Sequence, residues 1–215
     1  MLIRERMESL RGTNEVVNEF TISGKIQSMT FDGTVTKVCL KTVRAAMLRT
    51  GVREVRYFPN FIIKGAAALE VVTKMKKYDG IEFKGHLETL PLPDGKNFAQ
   101  MYVVDSYYPV AQNYAEDVNY VLVRGRISDI KKKDKVNIVC LETMQNSNET
   151  VANIRFACFG NIKEFVDSHC ETGKMVTANC YIDTKRVVKL KDVDEYKERK
   201  IVDWQNLAAS EITCD

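Results

Sequence analysis

The chain has 215 residues and a formal net charge of +3, with 45% hydrophobic and 28% charged residues. Such a chain can bury one large core or two domains of about 100 residues each. No apolar run is long enough to span a membrane, and the charged segment 1–15 is not a secretory signal. These features exclude a membrane protein and predict a cytoplasmic one.

The distribution of charged residues and of cysteines limits the kinds of binding site that the chain can form. Residues 1–110 carry 16 Lys and Arg against 12 Asp and Glu, whereas residues 111–215 carry 16 against 17. The first half is therefore the better candidate for a phosphate-binding surface. The six cysteines and two histidines lack the spacing of metal ligands, so no metal and no cofactor is predicted. Buried free thiols suit a reducing cytosol.

The first half of the chain changes periodicity along its length. Alternation of apolar and polar residues predicts strands over 20–26, 34–41, 52–58, 81–87 and 98–107. Between the third and fourth of these, Ile63, Ala67, Val71 and Met75 recur every four residues, which predicts a helix over 60–77. Gly80 is expected to end this helix in the left-handed conformation.

The same order of elements returns in the second half, with strands over 120–129, 135–143, 151–159, 174–183 and 200–204 and a helix over 162–170. Gly24 and Gly125 occupy the same place in the two first strands, where glycine eases a sharp bend. Six matched blocks in one order indicate an internal duplication. The blocks are 18–26 with 119–127, 38–40 with 139–141, 55–57 with 154–156, 63–64 with 162–163, Gly80 with Gly173, and 103–105 with 201–203.

Five strands with a helix between the third and fourth is the order of an OB-fold. The predicted fold class is all-β with short helices, as two tandem OB-fold five-stranded barrels. We expect an N-terminal extension over 1–17, domain 1 over 18–110, domain 2 over 118–207 and a short C-terminal tail over 208–215. The connection over 111–117 is too short for a flexible linker, so the barrels should be closely apposed.

The block from the third to the fourth strand resembles the bacterial and phage single-stranded DNA-binding proteins. In that family an alternating strand ends in Phe-Gly, an amphipathic helix follows, and a later strand ends in Gly-x-Leu. Here Phe159-Gly160 ends the third strand of the second copy, and Gly85-His86-Leu87 ends the fourth strand of the first. The resemblance implies single-stranded DNA binding in replication, recombination and repair, by a protein that works as a dimer.

A cationic face with interleaved aromatic residues is predicted on domain 1. Strand alternation turns these side chains away from the core. Binding without sequence preference needs basic groups for phosphates and aromatic faces for bases, the latter worth about 1–3 kcal/mol per base. The predicted contacts are Phe31, Lys37, Lys41, Arg44, Arg49, Arg53, Arg56 and Phe58.

Domain 2 differs on the corresponding strand, where Val136, Ile138 and Cys140 form an apolar outer face. We expect this face to pack against the other domain or against a second chain in a homodimer. Tyr196 and Trp204 are weaker candidates for contacts, and Trp204, which sits in a strand, is expected in the core instead. The cations of domain 2 are predicted in loops, namely Lys131, Lys132, Lys133 and Lys135 after the first strand, and Lys185 and Arg186 between the last two strands.

Other functions are weighed against this one. The sequence has no P-loop, nucleophile elbow or paired-histidine metal motif, so no enzyme and no small-molecule substrate is predicted. OB-folds also serve as protein-assembly platforms, which leaves an interaction module of a replication complex as an alternative. Single-stranded RNA is a further alternative, because base stacking does not distinguish the two sugars.

Overall fold

The computed structural model describes residues 3–48, 51–93, 98–111, 117–145, 150–193 and 196–215, with the side chains among them except those within 46–53, 145–150 and 186–203. Eleven strands and three short helices make up these segments, and none of the three helices is long and apolar enough to cross a membrane. The helices are α1 (Ile3–Leu10), α2 (Ala66–Lys74) and α3 (Gly160–His169). The strands are β1 (Val17–Phe31), β2 (Val35–Leu48), β3 (Gly51–Tyr57), β4 (Asn60–Lys64), β5 (Gly80–Pro91), β6 (Phe98–Pro109), β7 (Asn119–Lys132), β8 (Asn137–Gln145), β9 (Thr150–Cys158), β10 (Met175–Val193) and β11 (Tyr196–Cys214).

The strands close into two five-stranded barrels joined in one continuous sheet. The first barrel runs β1-β2-β4-β6-β5 and returns to β1, and the second runs β7-β8-β9-β11-β10 and returns to β7. In each barrel the third strand pairs parallel with the fifth, β4 with β6 and β9 with β11. A helix follows each third strand. This is the strand order of an OB-fold, so the predicted fold class is confirmed.

Glycine in the first strand of each barrel allows the second strand to approach closely. A Cβ atom at Gly24 would lie 2.6 Å from the carbonyl oxygen of Lys41, and one at Gly125 would lie 2.2 Å from that of Glu142. Both distances are below van der Waals contact with a backbone atom. Any larger residue would therefore push the first two strands of its barrel apart.

Two hairpins differ in length between the two barrels, and each difference shifts the sequence offset between equivalent residues. The first barrel has the longer hairpin between its second and third strands, by six residues, and the second barrel has the longer hairpin between its fourth and fifth strands, by ten residues. In the first barrel, β3 extends this hairpin beyond the barrel. The paired residues that show the difference are Thr42 with Tyr57, Thr143 with Ala152, Thr89 with Gln100, and Thr184 with Gln205.

The strand pairing confirms the first two matched blocks, 18–26 with 119–127 and 38–40 with 139–141, but the four later matches are wrong. Phe61, not Tyr57, corresponds to Phe156, because each pairs with the equivalent valine of the second strand. Ile63 is a strand residue, whereas Ile162 lies in α3. The unequal hairpins explain these errors, since the sequence does not show where the extra residues are inserted.

The first helix and its end also differ from the prediction. Asn60–Lys64 forms β4, because Phe61 and Ile63 alternate into the core, and α2 starts only at Ala66. The left-handed residue after this helix is Tyr78, with φ of 75°, and not Gly80. Its equivalent in the second barrel is Gly173.

The segment 208–214, predicted as a tail, is the final part of β11. Ala208 pairs with Ala157 of β9, and Cys214 pairs with Val176 of β10. The true equivalents of 103–105 are therefore 208–210, because both segments pair with the third strand of their barrel. Matching 103–105 with 201–203 had placed the end of the fifth strand seven residues too early. The remaining domain boundaries stay predictions.

The two barrels are joined in an approximately twofold arrangement. β1 and β7, the first strand of each barrel, pair antiparallel from Val17–Arg124 to Ile22–Asn119. Each fourth–fifth hairpin also bonds to the third strand of the other barrel. The Gln100 Oε1 atom accepts from the Arg155 amide at 3.0 Å, and the Gln205 Oε1 atom accepts from the Asn60 amide at 2.7 Å. Thr89 and Thr184 repeat this exchange with Asn153 and Phe58.

Helix α1 covers the joint on the side of the second barrel. Met7 and Leu10 are buried against Val17 of β1 and Leu122 of β7. Beside them the Arg124 side chain is fully buried and fixes both chain ends. Its guanidinium donates to the carbonyl oxygens of Thr13 and Glu15, to Thr177 Oγ1 and to the carboxylate of Asp215. The N-terminal and C-terminal segments therefore both accept hydrogen bonds from the same buried guanidinium.

Candidate nucleic-acid interface

A cleft of about 520 Å³ lies on the second barrel. Its floor is the outer face of β8 and β9, the β10–β11 hairpin lines one side, and Phe98 and Gln100 of β6 line it from the first barrel. A volume of this size lies within the range of ligand-binding clefts. The cleft is thus shared by both barrels, although most of it belongs to the second.

Besides the buried Phe156, three aromatic residues line the cleft. Trp204 of β11 and Phe159 after β9 are each 48% exposed, and Phe98 begins β6 of the first barrel. Trp204 lies opposite Lys185 in the β10–β11 pairing, which places a ring beside a cation. A half-exposed ring presents a face on which a nucleobase can stack. The expectation that Trp204 is a core residue is therefore wrong.

The floor of the cleft is the apolar face predicted on domain 2. Val136 and Ile138 line it together with Ala157 of β9, and all three are partly buried. The first barrel provides part of the expected cover, because Phe98 and Gln100 face the same space. Apolar groups here can contact bases without selecting among them.

Two cations of the cleft have different roles. Arg155 holds the two barrels together, since its guanidinium donates to the Phe98 carbonyl oxygen at 2.5 Å. The Lys185 side chain is 72% exposed and lies 3.9 Å from Asp183, so it can reach a phosphate. Lys185 and Arg186 belong to β10 and not to a loop, and only the backbone of Arg186 is described.

The cationic face predicted on the first barrel divides into two separate parts. Phe31, the last residue of β1, is 36% exposed, and Lys37 is exposed on the adjacent strand, where it pairs with Thr30. Lys41 is partly buried further along β2. Phe58, 37% exposed, lies between β3 and β4, where its amide donates to Thr184. These residues lie on or beside the barrel.

Three of the predicted arginines, Arg44, Arg53 and Arg56, lie on the β2–β3 extension. The guanidinium of Arg44 lies 4.7 Å from the ring centre of Tyr181 in the second barrel, so this arginine contributes to the joint. Arg56 Nε donates to Glu54 at 2.8 Å, and both side chains are more than half exposed. Arg49 lies outside the described residues, and Arg53 is described only by its backbone in β3.

The lysine cluster of the second barrel lies at the end of β7 and in the turn that follows it. Lys132 Nζ lies 3.4 Å from Asp167 of α3. Hydrogen bonds from Lys163 and Asn137 lower the pKa of Asp167 to about 2, so it stays ionised and offsets part of the positive charge. The exposed members of the cluster are Lys131, Lys132, Lys133 and Lys135.

Sequence reasoning missed Arg155, Phe159 and Phe98 as candidate site residues. Ile154, Phe156 and Cys158 are buried, so the alternating Arg155 and Phe159 face outward beside Ile138. This alternation is present in the sequence and could have identified both residues. Phe98 could not be found in this way, because it reaches the cleft only through the packing of one barrel on the other.

The buried thiols of the second barrel do not provide reactive chemistry. Burial raises the pKa of Cys158 to about 12 and also raises the pKa of Cys180, so both stay protonated at neutral pH. None of the six cysteines, all of which lie in described segments, forms a disulfide bond. Across the described segments, no group of three or more His, Cys, Asp or Glu side chains could hold a metal ion.

No protein-family model matches the chain, and no curated protein matches it either. Solved structures do. A deletion mutant of the single-stranded DNA binding protein from Thermus aquaticus superposes with a TM-score of 0.69 at 13% identity, over 94% of this chain and 95% of that one. The wild-type Thermus aquaticus protein gives 0.68 at 13% identity, over 93% of each chain. This chain is a tandem OB-fold. In an OB-fold, the face of the second and third strands and the fourth–fifth hairpin commonly bind oligonucleotides, and the cleft lies there.

Proposed function

We propose that the protein binds single-stranded DNA without sequence preference and protects it during replication, recombination and repair. The observation that carries this proposal is the cleft, where Trp204, Phe159 and Phe98 surround an apolar floor on the binding side of an OB-fold. Bases stack on these rings, and phosphates lie toward Lys185. Each base has an aromatic face, so such contacts do not select a sequence.

The first barrel extends this path with weaker contacts. Lys37 and Phe31 are exposed on its outer surface, and the partly buried Lys41 lies further along β2, the strand of Lys37. The protein acts by binding and not by catalysis. Cysteines that form no disulfide bond suit the cytoplasm, where single strands arise during DNA synthesis.

Trp204 provides a direct test, because it is the single tryptophan of the chain. Titration with a dT oligomer should quench its fluorescence, and the affinity should fall linearly on a log–log plot against salt concentration. An rU oligomer of equal length measures the preference between DNA and RNA. Absence of both quenching and binding at low salt would falsify the proposal.

A substitution locates the site within the molecule. Trp204→Ala should weaken binding of a labelled dT oligomer by about tenfold, because one stacking contact is worth about 1–3 kcal/mol. Leu69→Ala is the matched control, since Leu69 is an apolar residue 55% exposed on α2 of the first barrel. Equal affinities for the two variants would place the bound strand outside the cleft.

A homodimer through Val136, Ile138 and Cys140 stays a prediction, and it competes with the DNA-binding role. Val136 and Ile138 line the cleft, so a second chain bound there would displace the strand. Sedimentation with and without a dT oligomer separates the two uses of this face. A dimer that dissociates on adding the oligomer supports the competition, whereas one that persists uses another surface.

A further inference from the structure

The turn between α2 and β5 holds a tyrosine in a conformation for which glycine is suited. Tyr78 has φ of 75°, and its equivalent Gly173 has φ of 94°. Each of the two amides donates at 2.8 Å to a carbonyl oxygen in the first strand of its own barrel, Tyr78 to Ile26 and Gly173 to Ile127. The left-handed conformation is strained for a residue with a side chain. The Tyr78 ring is 56% exposed, so burial in the core does not offset this strain.

A second exposed tyrosine lies at the same end of the β5–β6 pair. Tyr108 is 51% exposed, and the nearby Val110 amide donates to the Gly80 carbonyl oxygen two residues after Tyr78. Each tyrosine has a cation over its ring, with Lys77 Nζ at 4.9 Å from the Tyr78 centroid and Lys84 Nζ at 5.4 Å from that of Tyr108. We call Tyr78, Tyr108, Lys76, Lys77 and Lys84 the tyrosine patch.

The second barrel shows that the fold does not require this patch. The equivalent turn of the second barrel makes the same hydrogen bond to its first strand, with glycine at the left-handed position. Neither the aromatic rings nor the lysines recur at the equivalent positions. The equivalent residues, in the order Lys76, Lys77, Tyr78, Lys84 and Tyr108, are Glu171, Thr172, Gly173, Asn179 and Thr213. The patch is therefore a feature of the first barrel alone.

Charge favours an anionic partner at this patch. Its three lysines outnumber the nearby acids Asp79 and Glu82, and Asp79 is already engaged by the Lys76 amide at 2.7 Å. Exposed rings flanked by lysines match the two requirements of a single strand, which are base stacking and phosphate neutralisation.

Building on the proposed function, we propose that the tyrosine patch is a second contact site for the same DNA strand, which leaves the cleft and continues over the first barrel. Phe98 of the cleft and Tyr108 of the patch lie near opposite ends of β6. At about 3.3 Å per residue, their positions on the strand are separated by roughly 33 Å. Only a strand longer than the cleft reaches both sites.

The test compares a short and a long dT oligomer on the full chain. A dT oligomer of about 8 nucleotides fits one OB-fold, and one of about 40 nucleotides exceeds two. Tyr78→Gly should bind the short oligomer as the wild type does, with the same Trp204 quenching, but bind the long one about tenfold more weakly. The number of nucleotides covered per protein should also fall. Tyr108→Thr, which introduces the residue of the second barrel, should act in the same direction.

Tyr78→Gly differs from a usual truncation of a side chain, because glycine relieves the backbone strain at this turn. The substitution should therefore not lower the urea midpoint of unfolding. Tyr78→Phe keeps the ring and should keep long-oligomer affinity. If Tyr78→Gly and Tyr108→Thr both bind the long oligomer with the affinity of the wild type, the proposal is overturned. The patch would then be a binding site for a protein partner. If the proposed function itself is wrong, the result is different: the wild-type protein then binds neither the short nor the long oligomer.

Discussion

His86 lies buried in the first barrel with a carboxylate on each side of its ring. Its Nδ1 atom lies 2.9 Å from Asp105 of β6, and its Nε2 atom lies 3.4 Å from Glu88 of β5. Lys64 of β4 also contacts Glu88, at 2.6 Å. The hydrogen bond with Asp105 raises the pKa of His86 above its usual 6.5, although burial opposes this effect. The charged imidazolium is therefore favoured in the folded protein.

This raised pKa predicts how stability depends on pH. A group with a higher pKa in the folded than in the unfolded state binds a proton more tightly when folded, so its contribution is complete below the unfolded value of 6.5. That contribution is lost as the pH rises through the folded-state pKa. Urea midpoints measured between pH of about 6 and about 9 should fall for the wild type. They should change less for His86→Gln, and equal slopes for the variant and the wild type would contradict the assignment.

Individual residues show how far sequence reasoning reaches. Lys37 was predicted to be outward by alternation and is exposed, whereas Trp204 was predicted to be buried and is 48% exposed. Alternation alone could not place Trp204, because β11 lies in a hairpin whose length the sequence did not reveal. A large apolar residue in a strand is usually core, and at this position the cleft reverses that expectation.

At the scale of elements, helix α1 makes the clearest prediction. Leu10 is fully buried against the β1–β7 joint, within a small apolar cluster separate from the barrel cores. Leu10→Ala should lower the free energy of unfolding by about 2–5 kcal/mol, because it removes buried methyl groups and leaves a cavity. Urea denaturation measures this loss.

The control for α1 is Leu69→Ala on α2, where the leucine is 55% exposed and its truncation should cost little. A near-neutral Leu10→Ala variant would mean that α1 is not part of the cooperative structure.

The order of elements was predictable because it rests on periodicity, whereas their register rests on loop length. The two first strands share Gly24 and Gly125, and strand pairing confirms that match. The third strand of the first barrel was misplaced because its hairpin has six extra residues that also alternate as a strand. Alternation cannot distinguish a strand within the barrel from the extension formed by β3.

At the scale of the whole molecule, the joint couples the two barrels. β1 and β7 pair over six residues each, and the hairpins exchange hydrogen bonds in both directions. Partial unfolding of either barrel would break these bonds and expose Leu122 and Val17 under α1. Such a cost favours a single transition in which both barrels unfold together.

The single tryptophan makes this coupling measurable. Trp204 lies in the second barrel, so its fluorescence reports that barrel, whereas far-ultraviolet circular dichroism reports the strands of both. The two urea curves should coincide in midpoint and slope, as a two-state transition requires. A fluorescence change that precedes or follows the circular dichroism change would show that the barrels unfold separately.

The Gln100→Ala, Gln205→Ala double variant removes the reciprocal pair of bonds from the amides of Arg155 and Asn60. It also removes the bonds that Gln205 donates to the Asn60 carbonyl oxygen and that Gln100 donates to Tyr102. It should lower the common midpoint while the two curves still coincide, since β1 and β7 remain paired.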